Sequence, residues 1–111
     1  MNNVVSNEKE PTVSIITVCF NAAATIERAM DSVRNQTYPN IEYIVVDGGS
    51  DDGTADILKR RLDAIDTFIC EPDGGIYDAL NKGIRRARGR LIGFVMADDV
   101  LLPHAVEEVV K

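Results

Sequence analysis

Short apolar runs alternate with helical segments along this chain, and this order restricts the fold more than any other feature. Four apolar and β-branched runs lie near residues 13–18, 41–46, 67–70 and 91–96, and each precedes a stretch with helical character. Nearly continuous apolar runs are typical of strands buried on both faces, as in parallel sheets. The sequence therefore predicts an α/β fold, with a parallel sheet, right-handed crossovers and helices on both faces.

The helices are predicted from apolar stripes and from the residues that bound them. The first carries Ile26, Ala29, Met30 and Val33 at three- and four-residue steps. The spacing predicts further helices over residues 54–62 and 76–88, the second of them ended by Gly89. We expect a final helix to open at Pro103, because proline is tolerated in a first helical turn.

The doubly wound order predicts strands arranged 3-2-1-4 in a Rossmann-like sheet. Strands 1 and 3 are then separated by strand 2, so Cys19 and Cys70 lie about two spacings of ~4.8 Å apart. Disulfides need Cα atoms within ~7 Å, so both thiols are predicted to be free. Each cysteine ends an apolar run, which predicts that each is a buried small hydrophobe.

Length and charge restrict the functional classes. The chain has 111 residues, with twelve basic and eighteen acidic residues and a formal charge of −6. We expect one domain over residues 11–111 after a loose polar tail, residues 1–10. The acidic balance argues against a nucleic-acid partner. No run approaches the ~20 apolar residues of a membrane span, and no secretory signal is evident, which predicts a cytoplasmic protein, peripheral to the membrane at most.

Acidic residues follow the predicted strands, and their positions indicate a ligand site. Asp47 and Gly48 follow strand 2, Asp73 follows strand 3, and Asp98 and Asp99 follow strand 4. In such sheets ligands bind outside the carboxyl ends of the strands, where the order reverses. Clustered acids repel each other unless a cation offsets them, and Mg²⁺ or Mn²⁺ bridges carboxylates to phosphates. The arrangement suits a nucleotide diphosphate held through a metal.

Other ligand motifs fail on particular residues. The turn over residues 19–25 contains no glycine, which excludes a dinucleotide fingerprint and a P-loop. A calcium loop counted from Asp47 needs a glycine where Asp52 stands and a glutamate where Leu58 stands. A haloacid-type phosphatase fails because Ser50 occupies the position of its nucleophile. His104, the single histidine, has no partner at a diagnostic spacing and is predicted to lie on the surface.

Three blocks of the sequence together resemble family-two glycosyltransferases with the GT-A fold. They are residues 13–21, residues 45–54 and Ala97-Asp98-Asp99, and residues 71–79 resemble the subgroup that builds bacterial surface polysaccharides. The resemblance implies transfer of a sugar, usually with inversion, from a nucleotide-sugar donor such as a UDP-sugar to a glycan or lipid-linked acceptor. It implies a nucleotide site formed by Val18, Cys19, Phe20, Asn21, Asp47, Gly48, Asp73 and Asp98.

The resemblance also assigns roles within that site. Phe20 would lie near the base and Asp47 would hydrogen-bond it. Asp98 would lie near the ribose and share a metal motif with Asp99, which would bind Mg²⁺ or Mn²⁺ on the diphosphate. The metal would neutralise charge on the leaving nucleoside diphosphate. Many members carry a base-contacting arginine at the position of Leu80, so this departure leaves the base undetermined.

No residue here is a candidate for the catalytic base that deprotonates an acceptor. We therefore expect only the donor-binding half of a transferase, without the acceptor-binding half. The alternative is a non-catalytic nucleotide-binding or interaction module.

Tyr77 either stacks on a base or packs under its turn. An uncovered strand 4 edge predicts a homo-oligomer. The simpler, structural interpretation holds for two groups: Asp51 and Asp52 favour a helix N-terminus, and Lys82, Arg85, Arg86, Arg88 and Arg90 form a solvated face.

Overall fold

Strands and helices alternate along the whole of the chain that the computed structural model describes, residues 11–111. The predicted tail, residues 1–10, lies outside the described residues. A 3₁₀ turn, Leu62–Ala64, follows the second helix. The elements are β1 (Val13–Cys19), α1 (Ile26–Arg34), β2 (Ile41–Asp47), α2 (Thr54–Arg60), β3 (Thr67–Cys70), α3 (Ile76–Arg86), β4 (Leu91–Phe94) and α4 (Ala105–Val110). None of these helices is both long and apolar enough to cross a bilayer.

The four strands form one parallel sheet in the order β3-β2-β1-β4, as predicted. Asp47 ends β2 with Cys19 as its register partner on β1 and Cys70 on β3. One strand thus separates the two cysteines, and both are free thiols, as predicted. The predicted burial is right for Cys19 and wrong for Cys70, which is exposed because β3 forms the edge of the sheet.

The core lies on both faces of the sheet, because successive strand residues point in opposite directions. On one face, Ile15 and Val45 belong to a cluster with residues of α1, α2 and α4. On the other face, Ile16 and Ile44 pack with Ala79 of α3. β1 is buried along its whole length, which explains why its largely apolar sequence shows no alternation of apolar and polar residues.

Four predicted boundaries are wrong by a few residues. α2 ends at Arg60 and not at residue 62. α3 ends at Arg86, and its C-cap Ala87 is extended, so Gly89 does not cap the helix. A Cβ at Gly89 would lie 2.6 Å from the backbone nitrogen of Ser14, so this glycine permits a close approach to β1. β4 ends at Phe94 and not at residue 96. Pro103 lies in the turn before α4, where its carbonyl accepts a hydrogen bond from the Thr37 N–H.

A buried carboxylate holds the α3–β4 connection near the amino ends of the central strands. Glu42 is 6 % exposed and accepts hydrogen bonds from the Ser14 hydroxyl (2.6 Å), the Arg88 N–H (2.8 Å) and Arg88 Nε (3.2 Å). The Ser14 oxygen accepts in turn from the Gly89 N–H at 2.8 Å. This contact explains why the helix ends before Arg88, whose backbone N–H points to Glu42.

Candidate functional site

A cleft of about 750 Å³ opens at the carboxyl end of the sheet. It lies beside the ends of β1 and β4, on either side of the point where the strand order reverses. Seven of the residues predicted to bind the nucleotide line this cleft; Asp47 does not. The lining residues are Val18, Cys19, Phe20, Asn21, Ala22, Thr25, Gly48, Asp73, Gly75, Ile76, Ala79, Met96, Ala97 and Asp98.

The β1–α1 loop, one wall of the cleft, is fastened to the β2–α2 loop by paired hydrogen bonds. The Asn21 N–H donates to Ser50 Oγ (2.7 Å), and Asn21 Oδ1 accepts from the Asp51 N–H (2.9 Å). Asn21 has a φ of 53°, a left-handed conformation that asparagine tolerates better than most residues. The two bonds hold Asn21 in this conformation and fix the turn that follows Phe20.

A second set of bonds extends the fastening toward α2. Asp52 Oδ2 accepts from the Ala23 N–H (3.2 Å), and Asp52 Oδ1 accepts from the N–H of Thr54 (3.1 Å) and from its hydroxyl. Thr54 Oγ1 also accepts from the Ala22 N–H at 2.8 Å. The Thr54 hydroxyl is the main cause of the lowered pKa of Asp52. Asp52 therefore has a structural role, as predicted, although it joins two loops as well as preceding a helix.

Asp47 lies behind the cleft and has no exposed surface. Its Oδ2 accepts from the N–H groups of Gly49 (3.2 Å) and Ser50 (2.9 Å), and its Oδ1 accepts from the Ser50 hydroxyl (2.6 Å). The thiols of Cys19 and Cys70 donate to the same carboxylate at 3.4 and 3.5 Å. Asp47 thus supports Ser50, which supports Asn21, while its own contact with a base stays a prediction.

Cys19 lines the cleft, yet its thiol is directed toward Asp47. Burial raises the pKa of the Cys19 thiol, and the neighbouring Asp47 carboxylate raises it further. A thiol with a raised pKa is a poor nucleophile at neutral pH. Cys19 therefore contributes shape to the cleft and no nucleophilic chemistry.

Gly48 and Asp73 meet on the β2–β3 side of the cleft. A Cβ at Gly48 would lie 2.8 Å from Asp73 Oδ2, so the missing side chain leaves room for this carboxylate. Asp73 Oδ1 accepts from the Gly75 N–H at 3.0 Å, which forms the turn before α3. The other oxygen, Oδ2, lies on the side of Gly48. Asp73 is thus both a turn former and a lining residue of the cleft, while its contact with a nucleotide stays a prediction.

Asp98 and Asp99 are exposed at the end of β4. The Asp99 N–H donates to the Met96 carbonyl at 3.0 Å, which closes the turn. Neither carboxylate is engaged in a hydrogen bond or ion pair with another residue in the range 11–111. Asp98 lines the cleft and Asp99 stands next to it in sequence, outside the lining.

The protein side chains could supply only some of the ligands that a divalent ion needs. Among residues 11–111, no three histidine, cysteine or acidic side chains are grouped to hold a metal. Asp98 and Asp99 offer two carboxylates at most. Mg²⁺ is commonly bound by one or two carboxylates together with substrate phosphates and water. The residues present therefore fit a cation that arrives with a phosphorylated ligand.

Apolar side chains form the outer part of the cleft. Phe20 is 63 % exposed at the end of β1, and Ile76 is 49 % exposed at the start of α3. Tyr77 is 80 % exposed and so does not pack under its turn. Leu80 points into the core on the α3 face, so it offers the cleft no polar group.

Several lining residues were not predicted from the sequence. Ala22, Thr25, Ile76 and Met96 carry no recognisable chemistry, and they line the cleft because of the backbone around them. Their position along the chain could have indicated them, because each lies within a few residues of a strand's carboxyl end or a helix's start. Lys82 of the predicted solvated face is instead paired with Glu71 (2.8 Å) and with the Pro72 carbonyl (3.2 Å).

Comparisons with known proteins give the family. The model of "Glycosyl transferase family 2" matches residues 14–111. An uncharacterized glycosyltransferase of Mycobacterium tuberculosis is 43% identical over 103 residues, which cover 91% of this chain and 39% of the relative. TuaG of Bacillus subtilis, named for teichuronic acid biosynthesis, is 41% identical over 93 residues, covering 81% of this chain and 37% of TuaG. The chain thus spans less than half the length of these curated relatives.

Solved structures share the fold. The S. aureus TarS fragment 1-349 in complex with UDP-GlcNAc superposes with a TM-score of 0.81 at 23% identity, covering 88% of this chain and 30% of that one. The mannosyltransferase PcManGT from Pyrobaculum calidifontis, in complex with GDP-Man and Mn²⁺, gives a TM-score of 0.76 at 33% identity, covering 82% and 28%. The chain therefore belongs to glycosyltransferase family 2 and has the GT-A fold, as the resemblance of its strand-end blocks implied.

Proposed function

We propose that this chain binds a nucleotide-diphospho-sugar, most simply a UDP-sugar, together with a divalent cation, as the donor-binding part of an inverting glycosyltransferase. The observation that carries the proposal is the cleft at the switch point of the sheet, lined by seven of the eight residues predicted to contact the nucleotide. TarS in complex with UDP-GlcNAc and PcManGT in complex with GDP-Man support this class of ligand.

The roles of the lining residues follow from their position and chemistry. Val18, Cys19 and Phe20 form an apolar wall at the end of β1, where the exposed Phe20 ring offers a face on which a base stacks. Asn21 forms the fixed turn that follows Phe20. Gly48 and Asp73 border the opposite side. Asp47 supports the loop that borders the site of the nucleobase. It would contact the nucleobase directly only by giving up its hydrogen bond from the Ser50 hydroxyl.

Asp98 and Asp99 are the residues that would hold Mg²⁺ or Mn²⁺. Asp98 faces the cleft, on the ribose side of the proposed ligand, and Asp99 completes the pair. Their exposure leaves both carboxylates hydrated, ready to exchange water for a cation. A bound divalent cation would neutralise charge that develops on the departing nucleoside diphosphate.

Sugar transfer also requires an acceptor site and a catalytic base. An inverting transfer needs a base to take the proton from the acceptor hydroxyl. The two carboxylates that line the cleft have other roles, Asp73 in its turn and Asp98 in the proposed cation site. We propose that a glycan or lipid-linked acceptor and the base are held by residues additional to these 111, acting in the cytoplasm at the inner face of the membrane.

The test is calorimetric titration of UDP into the chain, with and without Mn²⁺. We expect saturable binding that needs the cation and is lost in Asp99→Asn. Asp63→Asn is the matched control, because Asp63 is exposed and lies on the 3₁₀ turn outside the cleft. Binding that persists in Asp99→Asn, or that is equally strong without Mn²⁺, contradicts the metal assignment. Absence of binding in a folded sample contradicts the donor site.

A non-catalytic nucleotide-binding module is the second candidate, favoured because both carboxylates that line the cleft already have other roles, Asp73 in its turn and Asp98 in the proposed cation site. Both candidates bind UDP with Mn²⁺, so binding does not separate them. Incubation with UDP-GlcNAc and measurement of released UDP does. Release above the rate in Asp99→Asn supports an enzyme. Equal rates in a longer protein that also carries the proposed base and acceptor site support a binding module.

A further inference from the structure

The turn between β3 and α3, residues 71–75, places Asp73 in the wall of the cleft. A helix start is usually fixed by a polar side chain at its capping position. In α3 that position is Gly75, which has a left-handed φ of 113° and no side chain, so the helix begins without a side-chain cap. The shape of the β3–α3 turn therefore depends on contacts from elsewhere in the fold.

Lys82 of α3 supplies such contacts. Helical side chains lean toward the N-terminus of their helix, so Lys82 reaches back along α3 to the β3–α3 turn. Its Nζ lies 2.8 Å from Glu71 Oε2 and 3.9 Å from Asp78 Oδ2, and it donates to the Pro72 carbonyl at 3.2 Å. The Lys82 side chain is only 14 % exposed, so water screens these contacts less than those of a fully exposed pair.

The contacts of Lys82 reach the backbone on both sides of Asp73. Pro72 precedes Asp73, and Lys82 binds its carbonyl directly. Gly74 follows Asp73, and its N–H donates at 2.8 Å to Asp78 Oδ2, the same oxygen that pairs with Lys82. Lys82 therefore restrains the peptide groups that set the direction of the Asp73 side chain.

Charge makes the same lysine necessary. Residues 71–84 contain three acids, and Lys82 is their one basic residue. The hydrogen bond with Glu71 raises the pKa of Lys82, and the nearby carboxylates of Asp78 and Asp73 raise it further. Carboxylates gathered in this way repel one another unless a cation offsets them. Lys82 is the cation that allows all three acids to occupy one end of α3.

We propose that Lys82 holds the β3–α3 turn in the shape that presents Asp73 to the bound nucleotide. The inference rests on the proposed donor site, and it adds to that site a residue that does not line the cleft. Without Lys82, the peptide groups of Pro72 and Gly74 lose their restraint and the acids of the turn move apart. Asp73 then samples several orientations, and binding must pay the entropy of selecting one of them.

The test is calorimetric titration of UDP with Mn²⁺ into Lys82→Met, which keeps the apolar stem of the side chain and removes its charge and donors. We expect the Kd to rise about 10-fold, a loss typical of removing a residue that orients a ligand-binding side chain. Lys59→Met is the matched control, because Lys59 is exposed on α2 outside the cleft, and it should leave the Kd unchanged. Lys82→Arg keeps the charge and the donors and should retain most of the affinity.

A double-mutant cycle shows whether Lys82 acts through Asp73. In an Asp73→Ala background, Lys82→Met should weaken UDP binding far less than it does in the wild-type chain. Equal losses in the two backgrounds overturn the proposal. So does a Kd that Lys82→Met leaves unchanged, or a loss that Lys59→Met shares. Far-UV circular dichroism shows whether each variant is folded.

Hydrogen exchange without nucleotide tests the restraint by itself. The amides of Gly74 and Gly75 donate to Asp78 and Asp73, and they should exchange faster in Lys82→Met than in wild type or Lys59→Met. Unchanged exchange overturns the proposal even where UDP binds. A folded wild-type chain that binds no UDP refutes the donor site instead, and the exchange rates then decide whether Lys82 holds the turn.

Discussion

Replacing Glu42 by glutamine tests whether the buried carboxylate stabilises the fold through its charge. Burial opposes ionisation of Glu42, but the hydrogen bonds from Ser14 and Arg88 outweigh it, so its pKa is lowered. A charge-assisted hydrogen bond is roughly twice as strong as a neutral one, and a neutral one contributes about 1 kcal/mol. In Glu42→Gln the bonds from Ser14 and the Arg88 N–H lose their charge assistance, and the exposed Arg88 side chain turns to water.

These losses sum to about 2 kcal/mol of unfolding free energy, because two bonds each weaken by about 1 kcal/mol. A domain of this size loses several degrees of Tm per kcal/mol, so we expect a fall of about 10 °C at pH 7. The measurement is urea and thermal unfolding followed by circular dichroism. Glu108→Gln is the isosteric control on exposed α4 and should stay within ~0.5 kcal/mol of wild type.

The same variant gives a pH dependence with a definite sign. Because the pKa of Glu42 is lower in the folded state, its stabilisation is complete above the unfolded value of ~4.3 and is lost as pH falls through the folded value. The difference between wild type and Glu42→Gln should therefore shrink below pH ~4. A difference that persists at lower pH, or one under ~0.5 kcal/mol at pH 7, would refute the reasoning.

Three further predictions concern residues whose surroundings the structure defines. Cys70 should react with a thiol reagent in the native state, whereas Cys19 should react only on unfolding; labelling of Cys70→Ser followed by mass spectrometry counts the thiols. Gly89→Ala should lower stability by about 2 kcal/mol in urea unfolding, since its Cβ would meet the Ser14 backbone at 2.6 Å. Asn21→Gly should keep the fold and weaken UDP binding less than Asn21→Ala does, because glycine accepts the left-handed φ of 53°; equal binding by both variants would contradict a role for this turn.

The strand order was predictable because it depends on local composition. Each strand is a largely apolar segment of four to seven residues, and the strand–helix alternation admits few topologies. The ends of α3 and β4 were less predictable. Gly89 carries a strong local signal for a helix end, yet the buried Glu42 accepts the Arg88 N–H and stops the helix earlier. A contact between residues 46 positions apart overrides the local preference.

The contacts between the loops of the cleft were also not predictable from the local sequence. Asn21, Ser50 and Asp52 were visible as polar residues in turns, and turn residues usually bond their own neighbours. In the structure, bonds that fix the cleft wall join residues 29 or more positions apart along the chain. Which donor meets which acceptor depends on the parallel register of β1 and β2, which places Cys19 beside Asp47. Sequence alone therefore predicted part of the wall, residues 18–21, and not the bonds that hold it.

Hydrogen bonding divides the acids of the sheet edge into two groups that look alike in sequence. The oxygens of Asp47 are occupied by the turn that follows it, and those of Asp52 by two loops. The carboxylates of Asp98 and Asp99 are exposed and have no partner among residues 11–111. An occupied carboxylate must lose hydrogen bonds before it can bind a cation, whereas an exposed one exchanges only water. For this reason the proposed metal belongs at the end of β4, and the acids after β2 belong to the framework that holds the nucleotide wall in place.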